Sequence, residues 1–585
     1  MFPSKAPRVF VVASVTLLFL VTYTSLHLYH GAPSSYSAAA PQILPIKDAI
    51  AAAEDLDADL DTDHVDAAVF TTTRVLTPTL INPALAPTPT SKDEEDEGPA
   101  WKPSTTGASS SSSQPTNFGD DPVAGDKSGE EQHEEQHEGH EEHQRPLPDP
   151  KLCSKDLEFL VRSSIDLDLT KRVHYIRRYI KPIFSDTVNR DNIANITEPL
   201  VKGETKIDLY QCGDVAIPQS EPIELVVPRP YPKATFVHLM FGIATDYMRL
   251  NDSIAPFSHW IAGTGAKLVA LVTDAKEKST EDMEKLQHAF EMADIDITLV
   301  KPISSDFSTS QNHFAVLTNM LHHDSPEAQW YGLIDDDTFF PDLKPLSDSL
   351  ATLDHTMDAY VGALSEDFSS VRIFGFMAYG GAGAYLSAPL ARKLGDQALQ
   401  CIHDATAQEG DTILRDCVYS NSKAKLTMLP GLYQQDLRDD VSGFFEGGLK
   451  PLNLHHWKSW YKAPVEKMAK VAKFCGDCFL QRWRFGNDTV FYNGFSIAEY
   501  ADGVNSVDLQ LMEGTWNKGD SKDFDFSLGP LRKPYSADQK KSYRLREAEL
   551  TEDGDLRQLY VRRGDSSKDE GDELDWVIEL VWQRH

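Results

Sequence analysis

From Ala234 onward the hydrophobic residues follow two alternating periods. Short, nearly continuous apolar runs such as ATFVHLMFGI, KLVALVTD, DITLVKP and WYGLIDDD are typical of buried strands. Between these runs, EDMEKLQHAFEMA and HFAVLTNMLHH space their apolar residues as a helix does. DAYVGAL, FMAYGGAGAYLS and a helix at APLARKLGDQAL continue the pattern. Because strands alternate with helices, the sequence predicts an α/β fold with a mainly parallel sheet.

One predicted strand ends in three carboxylates. WYGLIDDDTFF places Asp335, Asp336 and Asp337 between two aromatic stretches. Ligands of open α/β sheets bind beyond the carboxyl ends of the strands, and a buried unpaired carboxylate is very costly. In an extended segment Asp335 and Asp337 point the same way and Asp336 the opposite way.

Two converging carboxylates repel each other unless a cation lies between them. Hard divalent ions such as Mg²⁺ or Mn²⁺ prefer oxygen ligands of this kind, and such an ion can carry a diphosphate. The alternative is a solvated acidic turn, which the aromatic residues on both sides disfavour. The pattern therefore favours a divalent metal site.

The N-terminal pattern predicts a membrane anchor. Val9 to Leu28 is 20 residues long and contains no Asp, Glu, Lys or Arg, which is the length of a membrane-spanning helix. Lys5 and Arg8 precede it and no basic residue follows until Lys47. This bias predicts a cytosolic tail at 1–8 and a type II orientation. A cleaved signal peptide is the alternative, but its apolar core is usually shorter and no clear cleavage site is present.

Charge and composition set the next segment apart. The chain has a formal net charge of −34, and residues 31–150 hold 24 acidic and 6 basic residues. The tracts ASSSSSQPT and EEQHEEQHEGHEEHQ are of low complexity and cannot bury enough apolar surface to fold. We predict a disordered acidic stalk at 29–150. No basic stripe is evident, which argues against nucleic-acid binding.

All six cysteines follow residue 150, and their even number fits disulfides in an oxidising compartment. The alternative is a set of buried thiols. Cys153 and Cys212 would staple an N-terminal segment at 151–230. Cys475 and Cys478 have the spacing of a redox pair but lack the neighbouring βαβ pattern, so a structural disulfide is favoured.

The last part of the chain, 501–585, has a different pattern. SYRLREAEL, DLRQLYVRR and DWVIELVWQR alternate like strands joined by Gly-Asp turns. They predict a small C-terminal β appendage whose role the sequence does not indicate.

The ordered motifs resemble those of the Fringe-like glycosyltransferases of family 31. WYGLIDDDTFF is followed about forty residues later by FMAYGGAGAYLS, with YVGALSED between them. LVTD precedes them, and EGDTIL and LNLHHWKSW follow. Each motif is weak alone, but the set is in the family's order from Ala234 to Trp460. FGIATDYMRL and the LHH pattern are most similar to the fungal and plant branch of unassigned function.

The resemblance implies a GT-A type nucleotide-sugar transferase domain at 231–500. It implies a hexosyltransferase that moves a sugar from a UDP-sugar to a glycan or glycoprotein hydroxyl with inversion. A β-1,3 linkage and dependence on Mn²⁺, or Mg²⁺, are usual in the family. With the predicted anchor, it implies a single-pass type II Golgi membrane protein whose catalytic domain is lumenal.

The resemblance also assigns roles to individual residues. Asp337 would be the main metal carboxylate, and Asp335 and Asp336 would help to hold metal and nucleotide ribose. His455 would complete the metal shell, with His456 as the alternative.

Three further positions carry roles on the acceptor and donor side. Asp411 would be the general base that takes a proton from the acceptor hydroxyl. Gly380 and Gly381 would let backbone amides approach the sugars. The family often has two acidic residues before the Thr, and here Gly410 replaces the first, which makes Glu409 a rival for the base. A bridge between Cys401 and Cys417 would fix this loop.

Several alternatives stay open at this point. The chain would instead be a catalytically inactive lumenal carbohydrate-binding protein if its altered base loop marks a degenerate transferase fold. A metal-dependent hydrolase is disfavoured because no second acid/base carboxylate is evident. Arg249 would meet the nucleotide or form a surface salt bridge. Trp457 and Trp460 would stack on an acceptor sugar or pack in the core.

Overall fold

The computed structural model of the chain describes residues 148–407, 409–517, 522, 524–564 and 574–584. The predicted anchor at Val9–Leu28 lies outside these residues, as does the predicted stalk except for its last three positions. Within the described ranges, no helix is long and apolar enough to cross a bilayer.

The strands, numbered in chain order, are β1 Arg172–Phe184, β2 Ala194–Ile196, β3 Thr205–Asp208, β4 Ile223–Val227, β5 Leu239–Thr245, β6 Lys267–Val272, β7 Ile297–Val300, β8 Trp330–Leu333, β9 Tyr360–Gly362, β10 Ala384–Ser387, β11 Leu426–Met428, β12 Arg482–Phe485, β13 Thr489–Tyr492, β14 Ser496–Tyr500, β15 Met512–Glu513, β16 Leu531–Arg532, β17 Lys540–Leu550, β18 Leu556–Arg562 and β19 Asp575–Trp582.

The α-helices are α1 Glu158–Asp166, α2 Tyr247–Asp252, α3 Ile254–Ser258, α4 Thr280–Met292, α5 Thr309–His322, α6 Leu343–Leu350, α7 Phe368–Phe374, α8 Ala388–Gly395, α9 Ala398–Asp404, α10 Gly410–Asn421, α11 Ser442–Glu446 and α12 Val465–Cys475.

A seven-stranded sheet forms the centre of the described region, in the order β11-β9-β10-β8-β5-β6-β7. β10 runs antiparallel to both of its neighbours, and the other pairs are parallel. The alternating apolar pattern thus predicted a mixed α/β fold with a mainly parallel sheet, and this is confirmed. All four residues of β8 are buried, and so are Asp336 and Asp337, so the acidic triplet directly follows a buried strand and stays largely inside the fold.

Helix α5 packs closely against β5. A capping box between Ser308 and Gln311 begins the helix by satisfying its first backbone N–H groups. Gly242 of β5 makes the close approach possible, since a Cβ there would lie 2.4 Å from the sulfur of Met320. Phe314 and Leu317 are also buried in this interface, and the packing fixes the rotation of α5 and so the direction in which His313 points.

A second, ten-stranded sheet joins the two ends of the described region. β1 pairs in parallel with β19, from Val173 opposite Asp575 to Ile180 opposite Trp582. The strand prediction for the C-terminal segment is confirmed by β17, β18 and β19. These strands continue a sheet that also contains β12, β13 and β14. The N-terminal and C-terminal segments therefore share one sheet.

The six cysteines form three disulfides, which confirms the prediction from their number and position. The pairs are Cys153–Cys212, Cys401–Cys417 and Cys475–Cys478. The second pair joins α9 to α10, so it restrains the helix that begins at Gly410 and carries Asp411.

Candidate active site

The acidic triplet lies in a turn that is tied to the glycine-rich turn before β10. The amide of Asp335 donates to Oγ1 of Thr338 at 3.2 Å, and this hydroxyl donates to the carbonyl of Gly381 at 3.0 Å. Gly380–Ala382 forms a single 3-10 turn. Because β8 and β10 are neighbours in the sheet, the turns that adjoin them meet at one edge.

Asp335 and Asp337 converge on His455. Nε2 of His455 lies 3.3 Å from Oδ2 of Asp335 and 3.1 Å from Oδ1 of Asp337. The predicted alternation along the triplet is therefore present, with the first and third carboxylates on one side. Asp337 is 4% exposed and His455 is 1% exposed.

The tautomer of His455 follows from its other ring nitrogen. Nδ1 lies 2.7 Å from the backbone carbonyl of Gln434 and donates to it, since a carbonyl only accepts. In this tautomer Nε2 presents its lone pair to two carboxylates, unless Nε2 carries a second proton or a cation is present. An imidazole oriented in this way by a backbone carbonyl is the usual arrangement of a metal-binding histidine.

Electrostatics at this cluster favour charged carboxylates. Burial by itself raises the pKa of Asp337, but the charge and hydrogen bond of His455 outweigh it and hold that pKa below its usual value. Burial lowers the pKa of His455, yet the facing Asp337 and Asp335 raise it well above the ordinary value. The cluster thus keeps its carboxylates charged around the His455 ring.

His456 lies beside His455 and completes a candidate ligand set. One ligand atom each from Asp337, His455 and His456 lie within 4.8 Å of one another. The His456 ring also lies 3.4 Å from Oδ1 of Asp436 and stacks on Trp460 at 3.9 Å between centroids. His455 is the histidine whose Nε2 lies within 3.3 Å of both Asp335 and Asp337.

Gly380 and Gly381 are glycines for a steric reason. A Cβ at Gly381 would lie 2.1 Å from the ring of His455. A Cβ at Gly380 would lie 2.9 Å from Oδ1 of Asp411 and 3.1 Å from Oδ1 of Asp335. The absence of side chains at these two positions lets the acidic and imidazole groups come together.

Asp411 lies across the glycine turn from the cluster of Asp335, Asp337 and His455. It is in the first turn of α10, and its Oδ2 accepts a hydrogen bond of 2.7 Å from the amide of Gly380. Glu409, the rival for the base, precedes the helix and is exposed. Asp411 is therefore the carboxylate that the structure places in the site.

Asp336 faces away from the cluster. Both of its oxygens accept hydrogen bonds of 2.6 Å from Arg249, and Oδ2 also accepts one of 2.6 Å from Thr245. Arg249 therefore pairs with the middle carboxylate of the triplet. This pairing anchors the triplet turn to α2.

The two tryptophans have different surroundings. Trp460 is 37% exposed and stacks on His456, and the guanidinium of Arg438 lies 4.3 Å from its ring centroid. Trp457 is partly buried against the core and packs edge-on against Phe339 with centroids 6.4 Å apart. The core-packing interpretation therefore describes Trp457, and the stacking of Trp460 on an acceptor sugar stays a prediction.

Sequence reasoning missed His313. Its Nδ1 lies 3.6 Å from Oδ1 of Asp335, and its Nε2 lies 3.5 Å from Oδ1 of Asp411. Burial lowers its pKa, but the nearby carboxylates of Asp411 and Asp335 raise it to about 9. Its position beside the apolar stripe of α5 was the only signal, and that signal does not distinguish it from any other partly buried polar residue.

Comparison with known families gives one partial match. A family described as "Protein of unknown function, DUF604" matches residues 371–471. This stretch is less than a fifth of the chain, and it contains Gly380, Gly381, Asp411 and His455 but not the acidic triplet. No curated protein matches the chain.

Solved structures give weak similarities. The mannosyltransferase PcManGT from Pyrobaculum calidifontis, in complex with GDP-Man and Mn²⁺, is 11% identical over 37% of this chain and 63% of that one, with a TM-score of 0.24. The glycosyltransferase GlyE of Streptococcus pneumoniae TIGR4 is 16% identical over 40% and 59%, with a TM-score of 0.26. Mouse xyloside xylosyltransferase 1 is 10% identical over 33% and 85%, with a TM-score of 0.23.

The chain spans less than two thirds of the length of the first two of these structures. At TM-scores this low the similarities carry no argument about the chemistry of this protein.

Proposed function

We propose that this protein is a metal-dependent glycosyltransferase that moves a sugar from a UDP-sugar to a hydroxyl of a glycan or glycoprotein with inversion. The observation that supports this most is the pairing of two groups at one sheet edge. Asp335, Asp337 and His455 form a cation-binding cluster, and Asp411 lies opposite them across the Gly380–Ala382 turn.

The donor set fits a divalent ion. The buried carboxylate of Asp337 and the partly exposed carboxylate of Asp335 face an imidazole nitrogen whose tautomer is set by the Gln434 carbonyl. Oxygen and imidazole ligands together suit Mn²⁺ or Mg²⁺. When bound, such an ion supplies a Lewis acid for the negative charge that develops on a diphosphate leaving group.

Asp411 supplies the other half of the reaction. A sugar hydroxyl is a poor nucleophile, so a positioned carboxylate must remove its proton as the new bond forms. The Gly380 amide holds one oxygen of Asp411 and leaves the carboxylate 20% exposed for an acceptor. A single displacement needs one such base, and it inverts the configuration at the sugar carbon.

The finer assignments belong to the same proposal. A β-1,3 linkage, UDP as the nucleotide and Mn²⁺ as the metal follow from the Fringe-like motifs. The motifs and the apolar stretch at Val9–Leu28 support a type II Golgi membrane protein with a lumenal catalytic domain.

The test is UDP release by the full-length chain in detergent, across a panel of UDP-sugars with Mn²⁺, with and without a chelator. We expect release with one donor and loss of that release on chelation. Wild-type protein that binds UDP and Mn²⁺ in calorimetry but resembles the Asp411→Asn variant in every turnover assay would favour the inactive carbohydrate-binding hypothesis. Absence of both binding and release would contradict the proposal.

A further inference from the structure

Position 410 has no room for a side chain. A Cβ on Gly410 would lie 2.7 Å from the carbonyl oxygen of Ser310 and 2.9 Å from Cδ2 of His313. The imidazole of His313 fills the space into which a side chain at position 410 would project.

His313 lies between the two halves of the site. Its side chain is 13% exposed, with Nδ1 3.6 Å from Asp335 and Nε2 3.5 Å from Asp411. Nε2 is buried and has no hydrogen-bond partner within the described part of the chain. A Cβ on Gly380 would lie 3.2 Å from the same nitrogen, so the ring packs against the glycine turn.

These contacts give His313 a geometric role at the second oxygen of Asp411. The Gly380 amide fixes Oδ2 of Asp411, but it does not fix the rotation of the carboxylate about that bond. His313, on helix α5, faces the second oxygen, Oδ1. Because α5 packs closely against β5, the His313 ring has little freedom to move.

We propose that His313 is a positioning residue that sets the orientation of the Asp411 carboxylate relative to Asp335. This inference rests on the proposed function, since it assigns to His313 the alignment of a base with a metal-bound donor. A small misplacement of a catalytic group reduces turnover strongly without a matching loss of binding.

The matched variants are His313→Gln and His313→Leu. Glutamine keeps an amide that donates to Asp411, and leucine fills a similar volume without a donor. We expect His313→Leu to lower kcat for UDP release by about 10- to 100-fold, with the donor KM changed by less than about two-fold. We expect His313→Gln to recover at least about half of that loss on a logarithmic scale. Both variants should have the same Tm.

A second measurement needs no turnover. In metal-free protein labelled at histidine, the ring resonances of His313 are identified by their loss in His313→Gln. Asp411→Asn and Asp335→Asn should each shift these resonances. The resonances of His322, which is exposed on the same helix, should not move.

The outcomes separate the two proposals. Turnover in wild type with an unchanged kcat in His313→Leu would overturn this inference and leave the proposed function intact. His313 resonances that respond to neither aspartate variant would also overturn it, whatever the activity. A wild-type protein without UDP binding or release would overturn the proposed function, and the assigned role of His313 with it.

Discussion

The backbone amide of Gly380 donates a hydrogen bond of 2.7 Å to Oδ2 of Asp411. This bond joins a turn at the edge of the central sheet to the first turn of α10, two elements separated by 31 residues. Asp411 is therefore held close to the cluster of Asp335, Asp337 and His455.

The first prediction concerns this carboxylate. Asp411→Asn keeps an oxygen that accepts from Gly380 but removes the basic group. We expect turnover to fall by about 10²- to 10⁴-fold, the usual contribution of a general base. Binding of UDP with Mn²⁺, measured by calorimetry, should stay within about two-fold of wild type, since Asp411 is not among the candidate metal ligands Asp337, His455 and His456.

Glu409→Gln is the matched control. It removes an exposed acid two residues away, and we expect full activity. If Glu409→Gln abolishes turnover while Asp411→Asn retains it, the assignment of the base is wrong.

The second prediction concerns Gly381. In Gly381→Ala the new methyl group would lie 2.1 Å from the His455 ring, which is closer than any real contact, so the ring must move away from the two carboxylates. We expect the affinity for Mn²⁺ to weaken by at least about ten-fold. The measurement is electron paramagnetic resonance of the free ion.

Gly213→Ala is a suitable comparison because it is far from the cluster in sequence and its Cβ would lie 3.1 Å from a single backbone oxygen. It should bind Mn²⁺ as wild type does. Normal Mn²⁺ affinity in Gly381→Ala would show that His455 is not a ligand.

The sequence predicted the parts of this protein that are local. The spacing of apolar residues in the sequence is enough to predict each strand and helix. The alternation of side chains within Asp335–Asp337 is enough to place two carboxylates on one side. The pairing of β1 with β19 joins residues about 400 positions apart, and nothing in either strand specifies its partner.

The contacts between elements were likewise hidden. Arg249 pairs with Asp336, and His313 fills the space beside Gly410, because α2 and α5 pack against the sheet at particular rotations. A glycine in a motif indicates that a side chain is excluded, but only the packed structure shows that His455 excludes it at Gly381.

The third prediction concerns Asp336, which is 6% exposed and has both oxygens paired with Arg249. Asp336→Asn replaces one acceptor by an amide that cannot accept from the guanidinium. Because Arg249 is half exposed and retains water, we expect a loss of about 1–3 kcal/mol in unfolding free energy. The measurement is thermal unfolding of metal-free protein.

Asp439→Asn, at an exposed position, is the control and should leave Tm unchanged. Wild-type stability in Asp336→Asn would mean that the pair does not hold the triplet turn in solution.

The last prediction concerns the pH dependence that Glu366 gives to folding stability. Glu366 is 4% exposed and accepts hydrogen bonds of 2.9 and 2.7 Å from the amides of Gln434 and Gln435, so it supports the segment whose carbonyl orients His455. Burial, and then the charge of Asp436, raise its pKa to about 8 from 4.5.

Because the folded state keeps this proton to higher pH than the unfolded state does, the unfolded state binds fewer protons between the two pKa values. Stability therefore falls as pH rises through that interval. The contribution of Glu366 is fully present below about pH 4.5 and is lost as pH approaches about 8.

Glu366→Gln removes this titration. At pH 5 we expect the variant to be less stable than wild type by about 1 kcal/mol, since its amide replaces one hydrogen-bond acceptor. As pH rises to 8 wild type should lose stability relative to the variant, by an amount on the order of a few kcal/mol, so the Tm difference should shrink and then reverse.

The measurement is Tm for both proteins across this range without metal, with Glu409→Gln as an exposed acidic control that should keep the wild-type slope. A Tm difference between wild type and Glu366→Gln that stays constant from pH 5 to 8 would mean that Glu366 is ionised in the folded protein throughout. Its carboxylate would then add a full negative charge beside Asp436. A cation in the same region would be needed to compensate this charge if the Gln434 segment is still to orient His455.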